Sequence, residues 1–228
     1  MKDWFAGDVA TRYDADTADM RVEPVVDFLE PLAGGGALEL AIGTGRIAVP
    51  LAERGALVAG IDLSPDMVAE LKKKTDSIPV AIGDMSTTRV EGTFSLVYVV
   101  FNSINNVTTQ EGQAAVFANA AKHLEAGGCF VVEVGVRNRQ RLEVFDLSDT
   151  HVGVDEYDAD TQRLVSHHFT LRDGTWERIS MPFRSVSPAE LDLMARLAGL
   201  RRRERWADWD RSPFTAESRK HVSVWEKP

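Results

Sequence analysis

Short apolar runs alternate with helix signals between residues 37 and 134, and this pattern constrains the fold more than any other feature of the chain. Ala37-Leu38-Glu39-Leu40 follows Gly34-Gly35-Gly36 and reads as a short buried strand. A helix is expected over 46–54, stopped by Gly55, and a second strand over 57–61, closed by Asp62. Ser64-Pro65-Asp66 supplies an N-cap, a proline at the first helical position and an acid in the first turn. The helix it opens runs to about Lys74, where three lysines suit the negative C-terminal end. Further strands are expected over 79–82, 94–101 (FSLVYVVF) and 129–134. Thr108-x-x-Glu111 reads as a capping box opening a helix to about Leu124, and its end at His123 is expected on the surface.

Strands alternating with helices imply βαβ crossovers and a parallel sheet covered on both faces, so the fold class is α/β. After Gly135 the rhythm changes. Residues 151–186 alternate apolar and polar positions around a turn at Asp173-Gly174, the mark of antiparallel strands. Ser187-Pro188-Ala189-Glu190 then opens another helix, ending at Gly199, and strands are expected over 201–206 and 221–226. The expected organisation is a single domain, 1–228. It comprises an N-terminal helical lid (1–32), an α/β half (33–135), a β insertion (151–186) and a closing helix with two strands (187–228).

Composition narrows the class of partner. With 44% apolar and 27% charged residues the chain is neither disordered nor fibrous, and no run approaches the roughly 20 apolar residues of a membrane span. Thirty-five acids against 26 bases give a net charge of −9, a field that repels phosphate backbones and acidic membranes. No nucleic-acid or membrane partner is expected, and Arg201 to Arg205 reads as a charged strand near a sheet edge. Cys129 is the only cysteine, so no intramolecular disulfide or cysteine-based zinc cluster forms; no metal site is expected, and the default compartment is cytoplasmic. The N-terminus lacks the apolar core of a signal peptide.

The informative segment is Leu38 to Arg46, LELAIGTGR. A glycine loop after the first strand lets a ligand approach the backbone, and the following helix offers its N–H groups. Gly43-Thr44-Gly45-Arg46-Ile47-Ala48 satisfies a G-x-G-x-x-A dinucleotide pattern, and Asp62, nineteen residues after Gly43, suits a ribose diol. These residues point to an adenosine-containing cofactor. Glu39, inside the first strand, repels a pyrophosphate and suits a cation, while Asp84 in Gly83-Asp84-Met85 suits an exocyclic amine. S-adenosylmethionine meets these acids. Two alternatives stay open: a nicotinamide (NAD or NADP) oxidoreductase, which leaves Glu39 and Asp84 unused, and a non-catalytic S-adenosylmethionine-binding protein.

With ELAIGTGR (39–46), GIDLSPDM (60–67), GDM (83–85), FSLVYVVFNSINN (94–106) and LEAGGCFVVEV (124–134), the chain resembles the class I S-adenosylmethionine-dependent methyltransferases, of the type that acts on N or O of small molecules. The resemblance implies a Rossmann-like, mostly parallel seven-stranded sheet. It places Glu39 at the methionine amino group, Ala41, Gly43, Thr44 and Gly45 along the methionine half, and Asp62 at the ribose. Leu63 and Met67 flank the nucleoside, Asp84 and Met85 hold the adenine edge, and Phe101 and Asn102 lie between cofactor and acceptor. Tyr13 belongs to an N-terminal lid. The family usually carries glycine where this chain has Ala41, so a slightly tighter loop is expected.

Methyl transfer needs a base only where the nucleophile arrives protonated. His151, His167 and His168 are the candidates, and since alternate strand residues face opposite sides, at most one of the last two points toward a pocket. Ligands in doubly wound sheets sit beyond the carboxyl ends of the strands. The acceptor is therefore expected near Asn105 and Asn106, the segment 136–151, and an aromatic wall of Trp206 and Trp209, with the insertion as its cover. An edge strand or the insertion also offers a surface for a homodimer.

Overall fold

The computed structural model describes residues 3–136 and 141–228. Of the segment 136–151 named above, residues 137–140 lie outside the described residues.

Five strands run parallel, as the apolar runs require: β1 (Ala37–Leu40), β2 (Val58–Asp62), β3 (Val80–Ile82), β4 (Phe94–Val99) and β5 (Leu124–Gly135). β10 (Arg201–Trp206) and β11 (Lys220–Glu226) complete a seven-stranded sheet in the order β10-β11-β5-β4-β1-β2-β3, with β11 antiparallel to both neighbours. Every residue of β1 is buried, because the strand is interior, between β4 and β2, in a sheet covered on both sides. One face packs Leu38, Leu40, Val97, Val99, Phe130 and Val132 with α5 (Gln110–His123) and α6 (Pro188–Leu197). The other packs Ala37, Leu96 and Val131 with α2 (Glu23–Leu29), α3 (Ala48–Glu53) and α4 (Pro65–Lys74).

Local signals set most helix starts. The Ser64 hydroxyl accepts the Met67 N–H and the Ser187 hydroxyl that of Glu190, as the sequence requires. α5 starts one residue later than expected. Thr109, not Thr108, is its cap, accepting the Gly112 N–H at 3.1 Å, so the expected box with Glu111 does not form. His123, expected at the surface, is fully buried: its Nε2 accepts the Val90 N–H at 3.1 Å, tying the chain ahead of β4 to the end of α5.

The insertion is larger than the alternation suggested. A separate antiparallel sheet holds four strands, β6 (Leu142–Leu147), β7 (His151–Tyr157), β8 (Arg163–Arg172) and β9 (Thr175–Arg184). Leu164, Ser166 and Asp155 on one face are buried, so that face is turned to the seven-stranded body, while Val165, His167 and Phe169 on the other are half-exposed. At one end the sheet is bolted down. Arg184 donates to Gln113 Oε1 of α5 (2.5 Å), to Glu190 Oε1 of α6 (2.7 Å) and to Gln162, and Gln113 donates to the carbonyls of Arg184 and Ile104. At the other end Arg172 meets Asp16, the last residue of α1 (Asp8–Asp16), at 3.8 Å. The sheet thus spans from the turn after β4 to α1.

Arg184 and Glu190 have side chains only 7% and 11% exposed, so deleting the cation strands a carboxylate. Arg184→Met is expected to lower the unfolding free energy by about 3 kcal/mol, read from urea denaturation, with Arg184→Lys recovering part of it.

Candidate functional site

An open cleft lies at the carboxyl ends of β1, β2, β3 and β4, where ligands sit in doubly wound sheets. Ten of the residues named from sequence line it: Tyr13, Glu39, Ala41, Gly43, Asp62, Leu63, Met67, Asp84, Met85 and Phe101; Asn106 lines it too. The loop after β1 forms one wall. Gly43, at φ +56°, gives its N–H to Asp62 Oδ2 at 2.7 Å, while Asp62 Oδ1 accepts the Ser64 N–H at 2.8 Å. Ala41 takes φ +59°, a left-handed conformation that disfavours any side chain, so the departure from glycine shows as backbone strain rather than as crowding.

Glu39 is 3% exposed and accepts the Tyr98 hydroxyl at 2.9 Å. Burial pushes its carboxyl up to about 8, against that hydrogen bond and the attraction of Arg46. Burial also raises Asp62, against the bonds from Ser64 and Gly43. Asp84 is less enclosed, and its Oδ1 accepts from the Ser86 N–H (2.8 Å) and hydroxyl (2.6 Å). On the far wall Phe101 (φ +56°) and Asn102 (φ +60°) are consecutive left-handed residues. Buried Glu133 of β5 holds them: its Oε2 takes the Phe101 N–H at 2.6 Å and its carbonyl the Asn102 N–H at 3.3 Å.

Several expected residues lie outside the cleft. Thr44 is buried and donates its hydroxyl to Asp14 Oδ1 of α1 at 2.6 Å, and Gly45 packs against Leu71 of α4, so both shape the loop from behind. Asn102 turns to β5, its Oδ1 accepting the Gly135 N–H at 2.7 Å. Asn105 is buried in the short turn after β4. Trp209 sits in the core, edge-on to Phe28 of α2 at 5.4 Å, and Trp206 donates its Nε1 to Glu204. Neither makes an acceptor wall: the loop that carries them folds onto α2. For the same reason α2 is body rather than lid, and only α1 and the residues before it reach the cleft.

Sequence reading missed Asp3, Trp4, Phe5, Arg46, Ser103 and Val107 among the lining residues. Phe5 stacks edge-on to Tyr13 at 6.3 Å, and Gly7 gives its N–H to Asp66 Oδ2 at 2.7 Å, which brings the N-terminal segment over α4. An aromatic pair so close to the N-terminus was the available signal.

His151 and His168 come together on the body-facing side of the insertion, and His167 points away to Ser180 Oγ at 2.8 Å. Asp146 Oδ2 lies 2.5 Å from His151 Nδ1, His151 Nε2 lies 3.1 Å from His168 Nδ1, and His168 Nε2 lies 3.2 Å from Ser166 Oγ. Burial and the neighbouring His151 hold His168 below the ordinary imidazole value. Phe145 lies over Gly153 beside them, where a Cβ would stand 2.3 Å from its ring.

A methyltransferase-domain model matches residues 37–128, the stretch from β1 to the start of β5. The CcbJ methyltransferase of Streptomyces caelestis superposes with a TM-score of 0.83 at 32% identity, covering 94% of this chain and 96% of that one. The chain belongs to the class I S-adenosylmethionine-dependent methyltransferases. The dTDP-3-amino-3,4,6-trideoxy-alpha-D-glucopyranose N,N-dimethyltransferase of Streptomyces venezuelae is 31% identical over 153 residues, 67% of this chain and 62% of the relative's own length. The cypemycin N-terminal methyltransferase of a Streptomyces species is 28% identical over 86% of this chain and 85% of that protein. S-adenosylmethionine is the family's methyl donor, so the nicotinamide alternative is set aside. The methyltransferase cleft fits such a ligand on its own chemistry, since a buried carboxyl held up at about 8 gains most from a cation placed beside it.

That carboxyl gives a signed pH effect. The folded chain keeps on Glu39 a proton that the unfolded chain gives up above about 4.5, so this group's effect is to lower stability as pH rises from about 4.5 to 8, with no further change above. Melting midpoints of wild type and Glu39→Gln are expected to diverge in favour of the variant across that window and to run parallel above it.

Proposed function

We propose that this methyltransferase moves the methyl group of S-adenosylmethionine to a nitrogen atom of a small-molecule acceptor by in-line displacement. When bound, the cofactor supplies a methyl carbon made electrophilic by its sulfonium. In this reading Glu39 receives the methionine ammonium, Asp62 the ribose hydroxyls, and Asp84 with Met85 the adenine edge. Leu63, Met67 and the Ala41–Gly43 backbone close around the rest. Tyr13, Phe101 and Asn106 then stand between cofactor and acceptor. The chain's task is alignment and exclusion of water, which lowers the barrier by several kcal/mol through proximity.

The observation that carries nitrogen over oxygen is the amine chemistry in the names of two relatives, one acting on an amino sugar nucleotide and one on a peptide N-terminus. An amine arrives protonated at neutral pH and must lose that proton to become a nucleophile. The insertion offers a receiver. Ser166 is 6% exposed and the Asp146 side chain 47%, so the chain Ser166–His168–His151–Asp146 runs from a buried end to an open one. His168, held below the ordinary imidazole value, is neutral at pH 7, so one of its two hydrogen-bonded ring nitrogens carries no proton and can take one up.

Two measurements test this. S-adenosylhomocysteine at about 100 times its dissociation constant should stabilise the fold by roughly 2.7 kcal/mol, and NAD and NADP should not. Release of S-adenosylhomocysteine should then be seen with amino sugar nucleotides or peptide α-amines and not with the matching hydroxyl compounds; turnover of the hydroxyl compounds alone would refute nitrogen. With such an amine, His168→Gln is expected to lower kcat about 100-fold at pH 7. The deficit should shrink at pH 9, where the acceptor is already unprotonated.

A further inference from the structure

Phe101 (φ +56°) and Asn102 (φ +60°) are, among the described residues, the only two consecutive non-glycine residues in the left-handed region. That conformation costs free energy for any residue with a side chain and persists only where the surroundings hold it. Both holds come from β5. Glu133 Oε2 takes the Phe101 N–H at 2.6 Å, and Asn102 Oδ1 takes the Gly135 N–H at 2.7 Å. The turn so held follows β4 and carries Phe101, Ser103, Asn106 and Val107 to the cleft, whereas β5 itself lines no part of it.

Glu133 is a costly group for this task. It is 8% exposed, and burial raises its carboxyl. Among the described residues no lysine or arginine pairs with it: Lys220 is bound to Asp208 at 2.7 Å, and the Arg46 guanidinium carbon lies over the Phe101 ring, 4.9 Å from its centre. Packing alone is served by an apolar side chain, as at Val131 two residues earlier on the same face of β5. We propose that Glu133 is a positioning residue of the methyl-transfer site, acting through the Phe101 backbone to keep the turn after β4 in its ligand-ready shape without touching the ligand. The inference rests on the S-adenosylmethionine reading of the cleft. A turn free to relax is ligand-ready only part of the time, and affinity for the cofactor falls by that fraction.

The test reads the turn and the ligand separately. A short charge-assisted bond places the Phe101 amide proton downfield of the ordinary backbone range in the proton–nitrogen correlation spectrum of the full chain. Glu133→Gln keeps an acceptor oxygen but not the charge. It is expected to move that proton upfield, to speed its exchange with solvent, and to raise the calorimetric Kd of S-adenosylhomocysteine about 10-fold. A Phe101 proton at an ordinary position in wild type, which needs no variant to observe, or one that stays in place in Glu133→Gln, overturns the hold. A moved proton with a Kd within about twofold of wild type overturns the positioning role. Either result leaves the cofactor reading intact. A wild type that binds no S-adenosylhomocysteine overturns the cofactor reading and this inference with it, whatever the proton does.

Discussion

Two backbone N–H groups from different loops, those of Gly43 and Ser64, converge on the single carboxylate of Asp62. Charge-assisted bonds of this kind are roughly twice as strong as neutral ones, and here they join the loop after β1 to the loop after β2. With Asp62 at the end of β2 and β2 paired in register to β1, neither loop can shift without breaking a buried interaction. The glycine loop is therefore shaped before any ligand arrives, and Arg46, Ala41 and the first turn of α3 inherit their positions from it.

A second constraint is electrostatic. Glu39 stands on the buried strand β1 at the floor of the cleft, and its ordinary charge is expensive there. Tyr98, its partner across β1 and β4, donates one hydrogen bond but brings no charge. A chain selected only for stability would place an apolar residue at this position. Glu39 is best understood as a group whose cost is met when a cation enters, which is where a strained or costly feature usually belongs in a folded chain.

Much of this was legible beforehand. β1, β2 and β4 are largely buried on both faces, so their sequences are mostly apolar and read as strands at once, with Glu39 and Asp62 standing out as acids inside them. Ser64 and Ser187 could be named as caps because each is followed by proline and an acid. Thr108 and Thr109 could not be told apart, since both precede the same helix and only the three-dimensional turn selects the hydroxyl that meets Gly112. β6 escaped notice because Leu142, Val144 and Leu147 are exposed at a sheet edge and mark no core. Ten cleft residues were readable from motifs, which are local; Arg46 stood inside a motif, but that it lines the cleft is visible only once four strands build it. Trp209 misled for the same reason, because Phe28, its packing partner, lies far away in the chain.

The insertion sheet is fastened unequally. Near Arg184 the joint is buried and made of several bonds, whereas near Arg172 it is one ion pair whose Asp16 side is 58% exposed. Mechanically this is a cantilever, clamped at β9 and resting lightly on α1. Salt screens the resting end and leaves the clamp untouched. Arg172 is followed directly by the Asp173-Gly174 turn, so the end of the sheet that salt can loosen is the end that carries its exposed hairpin tip.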